Sequence, residues 1–548
     1  MIQFRSFLPF LKWPRLSASL LRSESLAGLT VGLMVIPQSV AYAALAGMPL
    51  VTGIYTSVLP ALVGTLFSGS SRLSIGPTAL TCLLIGSSLT GLAEPASIYW
   101  INLAVCLALL TGLVQIALGA MRFGWLINVV SAPVLMAFTQ AAGVLILASQ
   151  LPALLGLPTG RSGLTNGAAI HWPSAVFGMT SLLLLVAARQ RWPNLPTVLI
   201  IVLAAAAISA GTGFETTGGH VIGYLPTGLP SLYLPTLPDP ETLSQLLLPT
   251  FVITLVSFLE TASCAKVDNE GRGQRWEQDQ DLIGQGLAKV VSGLCGAFPT
   301  SSSFLRSALN VHAGALSGWS TIAMVAFVLT VLLFFTPVLR HVPNAVLAAI
   351  VIVAVLGLIR PTDFLRLWRI STIELVIAAI TFCVTILAAP KLYWGILTGV
   401  LLSLCNFLYQ RLHPRVVELG LHADGTLRDR HQWQLPALAP HLYAMRLDAA
   451  LDFASASTFE LAIQRHLASH PDTQHICLFA QPINRIDATG VEALLRVASS
   501  LHQRGMMLHI VGMKLAVEGT LRCAGGLSDR SFITVHRTDH DALKSIWH

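Results

Sequence analysis

Four ionisable residues stand inside or at the ends of long apolar runs in this chain: Glu94, Glu260, Lys289 and Arg306. Charge in such a run is costly, so each is a functional candidate by default. Glu260 closes the run Thr254-Leu255-Val256-Ser257-Phe258-Leu259. A lone carboxylate in apolar surroundings holds a proton unless a nearby cation keeps it ionised. Arg306 is the cation the sequence offers. Two roles fit the pair. Glu260 could carry a proton, its charge set by whether an anion neutralises Arg306; or the two could form a permanent ion pair that locks two helices. The Arg306 guanidinium can fork two oxygens of a tetrahedral oxyanion or a carboxylate. Glu94 reads as a solvated residue at an outer helix end, and Lys289 as a side chain that snorkels to the inner surface. Gln38 and Tyr42 are four apart and share a helix face. There they line a polar cavity or hydrogen-bond to another helix.

Several apolar segments are shorter than the about 20 residues that cross a bilayer, and 77–93 and 304–316 are the notable ones. Each follows a polar, small-residue stretch: Ser68-Gly69-Ser70-Ser71 and Pro299-Thr300-Ser301-Ser302-Ser303. Fourteen apolar segments divide as seven and seven, and each of these two is the third of its half. Interrupted segments at matching positions point to an inverted repeat. Two half-helix N-termini would then meet near the midplane, presenting unpaired N–H groups and positive dipole ends to an anion. The plainer alternative is a pair of ordinary spans weakened by Gly and Ser.

The whole chain agrees with a membrane setting. Of 548 residues, 54% are hydrophobic and 11% charged, against roughly 25% charged in soluble domains. Mean hydropathy is +0.70. A disordered chain, a disulfide-rich fragment and an ordinary soluble enzyme are excluded. The net charge of +7 is expected in cytoplasmic loops rather than on a nucleic-acid face. Arg22, Arg122, Arg189, Arg191, Arg272, Arg275, Arg360, Arg366, Arg369 and Arg411 fall in breaks on one side, while the 211–245 break has no Lys or Arg. Both termini are therefore expected in the cytoplasm. The basic N-terminus, with Arg5, Lys12 and Arg15, reads as a lead-in to the first span and not as a cleaved signal. None of the 8 Cys falls in a C-x-x-C pair, so neither metal chemistry nor a disulfide framework is implied.

Charge density divides the chain into an N-terminal segment 1–24, a transmembrane domain 25–410, a linker 411–439 and a soluble domain 440–548. In the last, Ile476–Phe479 and Met507–Val511 read as strands, alternating with helical patterns after Asp487-Ala488-Thr489-Gly490 and around 515–523. This is a small α/β domain.

The motifs resemble those of the SulP (sulfate permease) anion transporters, relatives of the animal solute-carrier-26 proteins. The resemblance rests on Gly28–Gly47 with Pro37-Gln38 and Ala41-Tyr42, then Ser74-Ile75-Gly76-Pro77-Thr78-Ala79, Ile222–Pro230, Phe258-Leu259-Glu260, Phe304–Asn310 and Val342–Ala348. They occur in order over most of residues 25–410. The C-terminal domain resembles a STAS domain, with Asp487-Ala488-Thr489-Gly490 where related domains carry Asp-Ser-Ser-Gly. There Thr489 matches a phosphorylated position, while Asp487 or Thr489 could equally just cap the helix. The resemblance implies a polytopic α-helical membrane protein of 14 spans in a 7+7 inverted repeat, split into core and gate domains that move as an elevator, plus a cytoplasmic STAS domain. Carried over by position, the anion site holds Gln38, Tyr42, Gly76, Pro77, Thr78, Ala79, Phe304, Leu305, Arg306 and Ser307, with Glu260 facing in.

Two departures stand out. Relatives often carry Gly-Ser-Phe-Ser-Arg-Ser where this chain has Ser302-Ser303-Phe304-Leu305-Arg306-Ser307, so Leu305 replaces a hydroxyl with apolar bulk. Lys289 stands where Asn is common. The expected activity is secondary active uptake of an oxyanion, sulfate first, coupled to protons, by a homodimer in a bacterial inner membrane. Bicarbonate, chloride or a dicarboxylate are the alternative cargoes, and a STAS-based signalling scaffold is the alternative class. No catalytic triad, nucleotide loop or metal cluster emerges, so no enzyme activity, cofactor, metal or nucleic-acid partner is expected.

Overall fold

The computed structural model describes residues 8–157, 171–191, 197–224, 226, 228–525 and 533–547. Positions 225 and 227 of the 222–230 motif lie outside them, as do residues 1–7 of the N-terminal segment. The chain forms two compact units, residues 1–403 and 404–548.

The first unit is helical. Its long helices are α1 (Ala18–Leu45), the broken pair α2 (Leu50–Thr56) and α3 (Leu59–Phe67), then, after a short helix α4 (Ala79–Leu89), α5 (Ile98–Ala120) and α6 (Ala132–Leu155). α7 (Trp172–Arg191) and α8 (Thr197–Thr212) close the first half. The second half runs α9 (Pro240–Gly271), α10 (Gln278–Leu294), α11 (Phe304–His312), α12 (Trp319–Phe334), α13 (Asn344–Leu356), α14 (Pro361–Ile370), α15 (Thr372–Leu387) and α16 (Tyr393–Leu412). Among the described residues, 7 helical segments are long and apolar enough to cross a membrane, and five apolar helices are shorter. The sequence offered no α14: its charges, Asp363, Arg366 and Arg369, are spaced along an amphipathic turn with no buried residue.

The two short segments are half-helices. At 1.5 Å per residue, α4 and α11 reach about 16 and 14 Å, half of a roughly 30 Å hydrocarbon core. Each is preceded by a two-residue strand, β1 (Ile75–Gly76) and β2 (Ser301–Ser302). These pair antiparallel, Ile75 opposite Ser302 and Gly76 opposite Ser301. The crossing is how extended backbone inside a membrane unit meets its hydrogen-bond requirement. An internal repeat shows in the packing as well. α6 lies on α15 and α7 on α13, contacts that exchange when one half is laid on the other.

Close approach of α5 and α10 is set by glycine. A Cβ on Gly112 would stand 2.7 Å from the Gly286 carbonyl, and one on Gly286 equally close to that of Gly112. Small residues let membrane helices pack backbone to backbone, where lipid supplies no hydrophobic drive. That contact holds α10 firmly behind the crossing strands.

The second unit carries a six-stranded sheet in the order β4-β3-β5-β6-β7-β8. Its strands are β3 (Val416–Leu421), β4 (Leu427–Asp429), β5 (Leu442–Leu447), β6 (His475–Phe479), β7 (Met507–Val511) and β8 (Ile533–His536). β5 to β8 are parallel and β3–β4 form an antiparallel edge. The stretch 411–439, read from sequence as a linker, thus supplies two strands. Val417 and Leu419 are buried on alternate positions of β3, a period-two signal too short to stand out between prolines. Helices α17 (Ala456–Ser469), α18 (Ala488–Gln503), α19 (Leu515–Cys523) and α20 (Asp539–Trp547) complete the unit. Asp487 caps α18 by accepting from Gly490 N at 2.8 Å, and its other oxygen accepts from Phe453 N at 3.0 Å. Thr489 is exposed on the first turn and is not the cap.

Three histidines on adjacent strands form a chain that the sequence did not reveal. His475 Nδ1 and His509 Nε2 are 3.1 Å apart, as are His509 Nδ1 and His536 Nε2. Burial, then the neighbouring His475 and His536, push the His509 imidazole down to about 4. In the unfolded chain a histidine titrates near 6.5. Between those values the unfolded chain binds a proton that the folded chain refuses. Stability from this site is therefore full above about pH 6.5 and drains away as pH falls toward 4. Amide exchange in β6–β8 of the full-length protein, corrected for its intrinsic pH dependence, should accelerate across that window. His509→Leu should flatten the response; an unchanged slope in that variant refutes the assignment.

Candidate functional site

The two half-helix N-termini face each other across the β1–β2 crossing. Thr78 caps α4, its hydroxyl accepting from Thr81 N at 3.4 Å, and Ser303 caps α11 by accepting from Arg306 N, also at 3.4 Å. Backbone and side chain tie the two ends together: Ser303 N donates to Ser74 O at 3.0 Å and Ser74 N to Ser307 Oγ at 2.9 Å. A hydroxyl residue immediately before each apolar helix is the local reason both helices start where they do.

Arg306 is 1% exposed and reaches back over the crossing. Its Nε donates to Ser74 Oγ at 3.3 Å and its Nη1 to Pro77 O at 2.8 Å. Nη2 is buried and has no hydrogen-bond partner in the protein. An unmet guanidinium donor in a buried site is costly, and it is what an oxyanion would satisfy. Glycine at position 76 makes room for it: a Cβ there would stand 3.1 Å from Nη2.

Glu260, on α9, does not pair with Arg306. Among the described residues neither side chain takes part in an ion pair. Instead Glu260 Oε2 accepts from the Thr78 and Thr81 hydroxyls, each at 3.0 Å. The permanent-pair reading therefore gives way to one in which Thr78 and Pro77 stand between the two charges. Arg306 donates to Pro77 O, while the hydroxyls of Thr78 and Thr81 donate to Glu260.

The other sequence-derived candidates gather here to different degrees. Gln38 and Tyr42 are buried on α1, and Tyr42 lies within electrostatic reach of both Arg306 and Glu260. Gly76, Pro77, Thr78, Ala79 and Ser307 are buried around the crossing. Phe304 and Leu305 are exposed, 57% and 40%, at the mouth formed by the first turn of α11. Glu94 is exposed between α4 and α5. Thr489 belongs to the second unit.

Lys289 does not snorkel. It is fully buried on α10, and its Nζ donates to Gln115 Oε1 at 2.8 Å. The glycine-mediated contact of α5 and α10 leaves it no route to a surface. Sequence reasoning also passed over Thr81, though it lies three residues beyond Thr78 and so on the same face. Gln115 was visible as an amide in the middle of an apolar run. Asp281 was hidden in a polar lead-in. It is fully buried and accepts from Ser68 Oγ, Ser70 N and Oγ, and Trp276 Nε1, a closed arrangement that fixes the start of α10.

Comparison with known proteins agrees with this architecture. Residues 21–381 match the Sulfate permease family and residues 437–542 the STAS domain. The chain is similar to a protein named probable sulfate transporter 4.2 of Arabidopsis thaliana, 32% identical over 92% of this chain and 77% of that one. It is similar also to a probable sulfate transporter of Mycobacterium tuberculosis, 31% identical over 94% of both chains. The solved structure of the murine Solute Carrier 26 family member A9 anion transporter, in the inward-facing state, superposes with a TM-score of 0.89 at 20% identity, covering 100% of this chain and 95% of that one. With its opposed half-helices and its C-terminal mixed sheet, this chain belongs to the sulfate permease family of membrane transporters, and carries a C-terminal STAS domain.

Proposed function

We infer that the protein is a secondary active transporter of an inorganic oxyanion, sulfate first, taken up together with a proton. The observation that carries this reading is the pair of unlike groups at one crossing: a buried Arg306 Nη2 without a partner and a Glu260 carboxylate held by two threonine hydroxyls. A hydroxyl can donate to a carboxylate and accept from a carboxylic acid. Thr78 and Thr81 can thus serve Glu260 in either protonation state, which a fixed cation could not. The anion completes Arg306 between the half-helix N-termini, and the proton rides on Glu260. The names of the plant and mycobacterial relatives support sulfate as cargo.

The same reading gives 14 spans in a 7+7 inverted repeat, with the site on a core of α1–α5 and α9–α12. α6, α7, α13 and α15 pack on one another as the gate, against which the core would move as an elevator. Gln38, Tyr42, Gly76, Pro77, Thr78, Ala79, Phe304, Leu305, Arg306 and Ser307 form the site. The protein acts as a homodimer in a bacterial inner membrane, with both termini and the STAS domain cytoplasmic, and the exposed Thr489 is open to phosphorylation. Leu305, exposed on the first turn of α11, puts apolar bulk where a hydroxyl is common, and this keeps a second cargo class in view: bicarbonate, chloride or a dicarboxylate.

Radiolabelled sulfate uptake into proteoliposomes, with and without an inward proton gradient, tests the proposal. Gradient-stimulated uptake is expected. Vesicles that hold folded protein and take up no sulfate would reject it, and sodium-dependent bicarbonate uptake would put the second cargo class in its place.

A further inference from the structure

Lys289 has no role in the site as described, yet it is fully buried and makes no ion pair among the described residues. An ammonium has three donors, and the hydrogen bond found here goes to the neutral amide of Gln115. Burying a charge without a counter-charge is costly, so the charged form of Lys289 depends on an anion nearby. The surroundings show where its field goes. Gln115 Nε2 donates to Thr254 O at 3.2 Å and to Ser257 Oγ at 3.1 Å, one turn before Glu260 on α9. Ser257 O accepts from Ser301 Oγ at 3.2 Å, and Ser301 is the β2 partner of Gly76. One turn before Lys289 on α10, Gln285 donates to Ser302 Oγ at 2.8 Å. Lys289 is therefore joined through Gln115 and Ser257 to the hydrogen-bonded layer that backs β2.

The charged groups around it are few. α3 and α5, both packed on α10, contain no Asp, Glu, Lys or Arg. α9 presents Glu260, which lies within electrostatic reach of Lys289 and of Arg306. Asp281, two turns back along α10, is enclosed by its own donors. At the crossing the charges are thus two cations, Arg306 and Lys289, and one carboxylate. With Glu260 protonated the site carries two positive charges, and a divalent anion brings it to zero. Without Lys289 the same load would leave a net negative charge in an apolar bundle.

We propose that Lys289 is a specificity-determining residue, whose ammonium form is a second positive charge near the anion site that sets it for divalent over monovalent anions. The inference deepens the transport reading and rests on it. Coulomb energy is proportional to the ligand's charge. Removing the Lys289 charge must then multiply the Kd of a divalent anion by the square of the factor for a monovalent one. A purely structural lysine would weaken both by the same factor.

The experiment measures Kd for sulfate and for chloride on purified full-length protein at one pH. Lys289→Met and Lys289→Gln remove the charge, and the glutamine keeps an amide to meet Gln115. Gln115→Leu keeps the charge and removes the contact. In the neutral variants sulfate should weaken about tenfold and chloride about threefold, with the sulfate-to-chloride ratio unchanged in Gln115→Leu. Equal losses for both anions at Lys289, or a ratio in Gln115→Leu shifted as far as in Lys289→Met, would overturn the proposal while leaving the transport reading in place. If neither neutral variant folds, Lys289 is structural and the proposal is likewise overturned. Wild-type protein that binds neither anion would overturn the transport reading itself, and this inference with it.

Discussion

Arg306→Ala is expected to lose at least about 30-fold in sulfate uptake, the largest effect of any single substitution in the molecule. Truncating one member of a buried, hydrogen-bonded charge interaction costs roughly 2–5 kcal/mol, a factor of roughly 30 to several thousand in binding. The geometry puts Arg306 in that class. Its guanidinium is buried, two of its nitrogens hold Ser74 and Pro77 across the crossing, and the third has no protein partner. Alanine removes the anion's donor and unties the two half-helices together. Arg306→Lys separates those effects. It keeps the charge but cannot reach Ser74, Pro77 and an anion at once, so KM for sulfate should rise while the melting temperature stays nearer that of wild type. Uptake by Arg306→Ala at the wild-type rate, in vesicles with equal amounts of folded protein, would remove Arg306 from the site.

The second large effect is on coupling. Glu260→Gln fixes the side chain in a neutral form at every pH, and its amide oxygen can still accept from Thr78 and Thr81. The variant should bind and exchange sulfate yet lose the acceleration that an inward proton gradient gives the wild type. Its sulfate affinity should also become independent of pH, because the proton that frees Arg306 and Lys289 from a neighbouring negative charge no longer comes and goes. The measurement is initial uptake with and without the gradient, alongside counterflow with both sides at one pH. A gradient response equal to that of wild type would place the proton elsewhere.

Much of this site was legible as residue types. Glu260 and Arg306 stand out because charge is rare in apolar runs, and the half-helices because their segments are too short to cross a bilayer. Thr78 and Ser303 announce the helix starts, since a hydroxyl at the N-cap is a local preference. Partnership was not legible. Glu260 was matched with Arg306 because opposite charges attract, yet its Oε2 accepts from two threonine hydroxyls instead. Lys289 was sent to the surface because lysine usually snorkels, yet the contact of Gly112 with Gly286 closes that route. In the second unit, β3 and β4 were passed over as a linker because strands of six and three residues give too few alternations to read.

The sequence by itself determined the membrane class, the repeat with its paired interruptions, the α/β domain at the C-terminus and which few charged residues stand within apolar runs. These follow from composition, segment length and capping, which are properties of neighbours along the chain. Only the tertiary structure decided which charge faces which. The β1–β2 pair joins residues more than two hundred positions apart, and His475, His509 and His536 meet because parallel strands bring them into one row. Register and helix contact fix such meetings, and both depend on how distant surfaces fit, which no local pattern encodes.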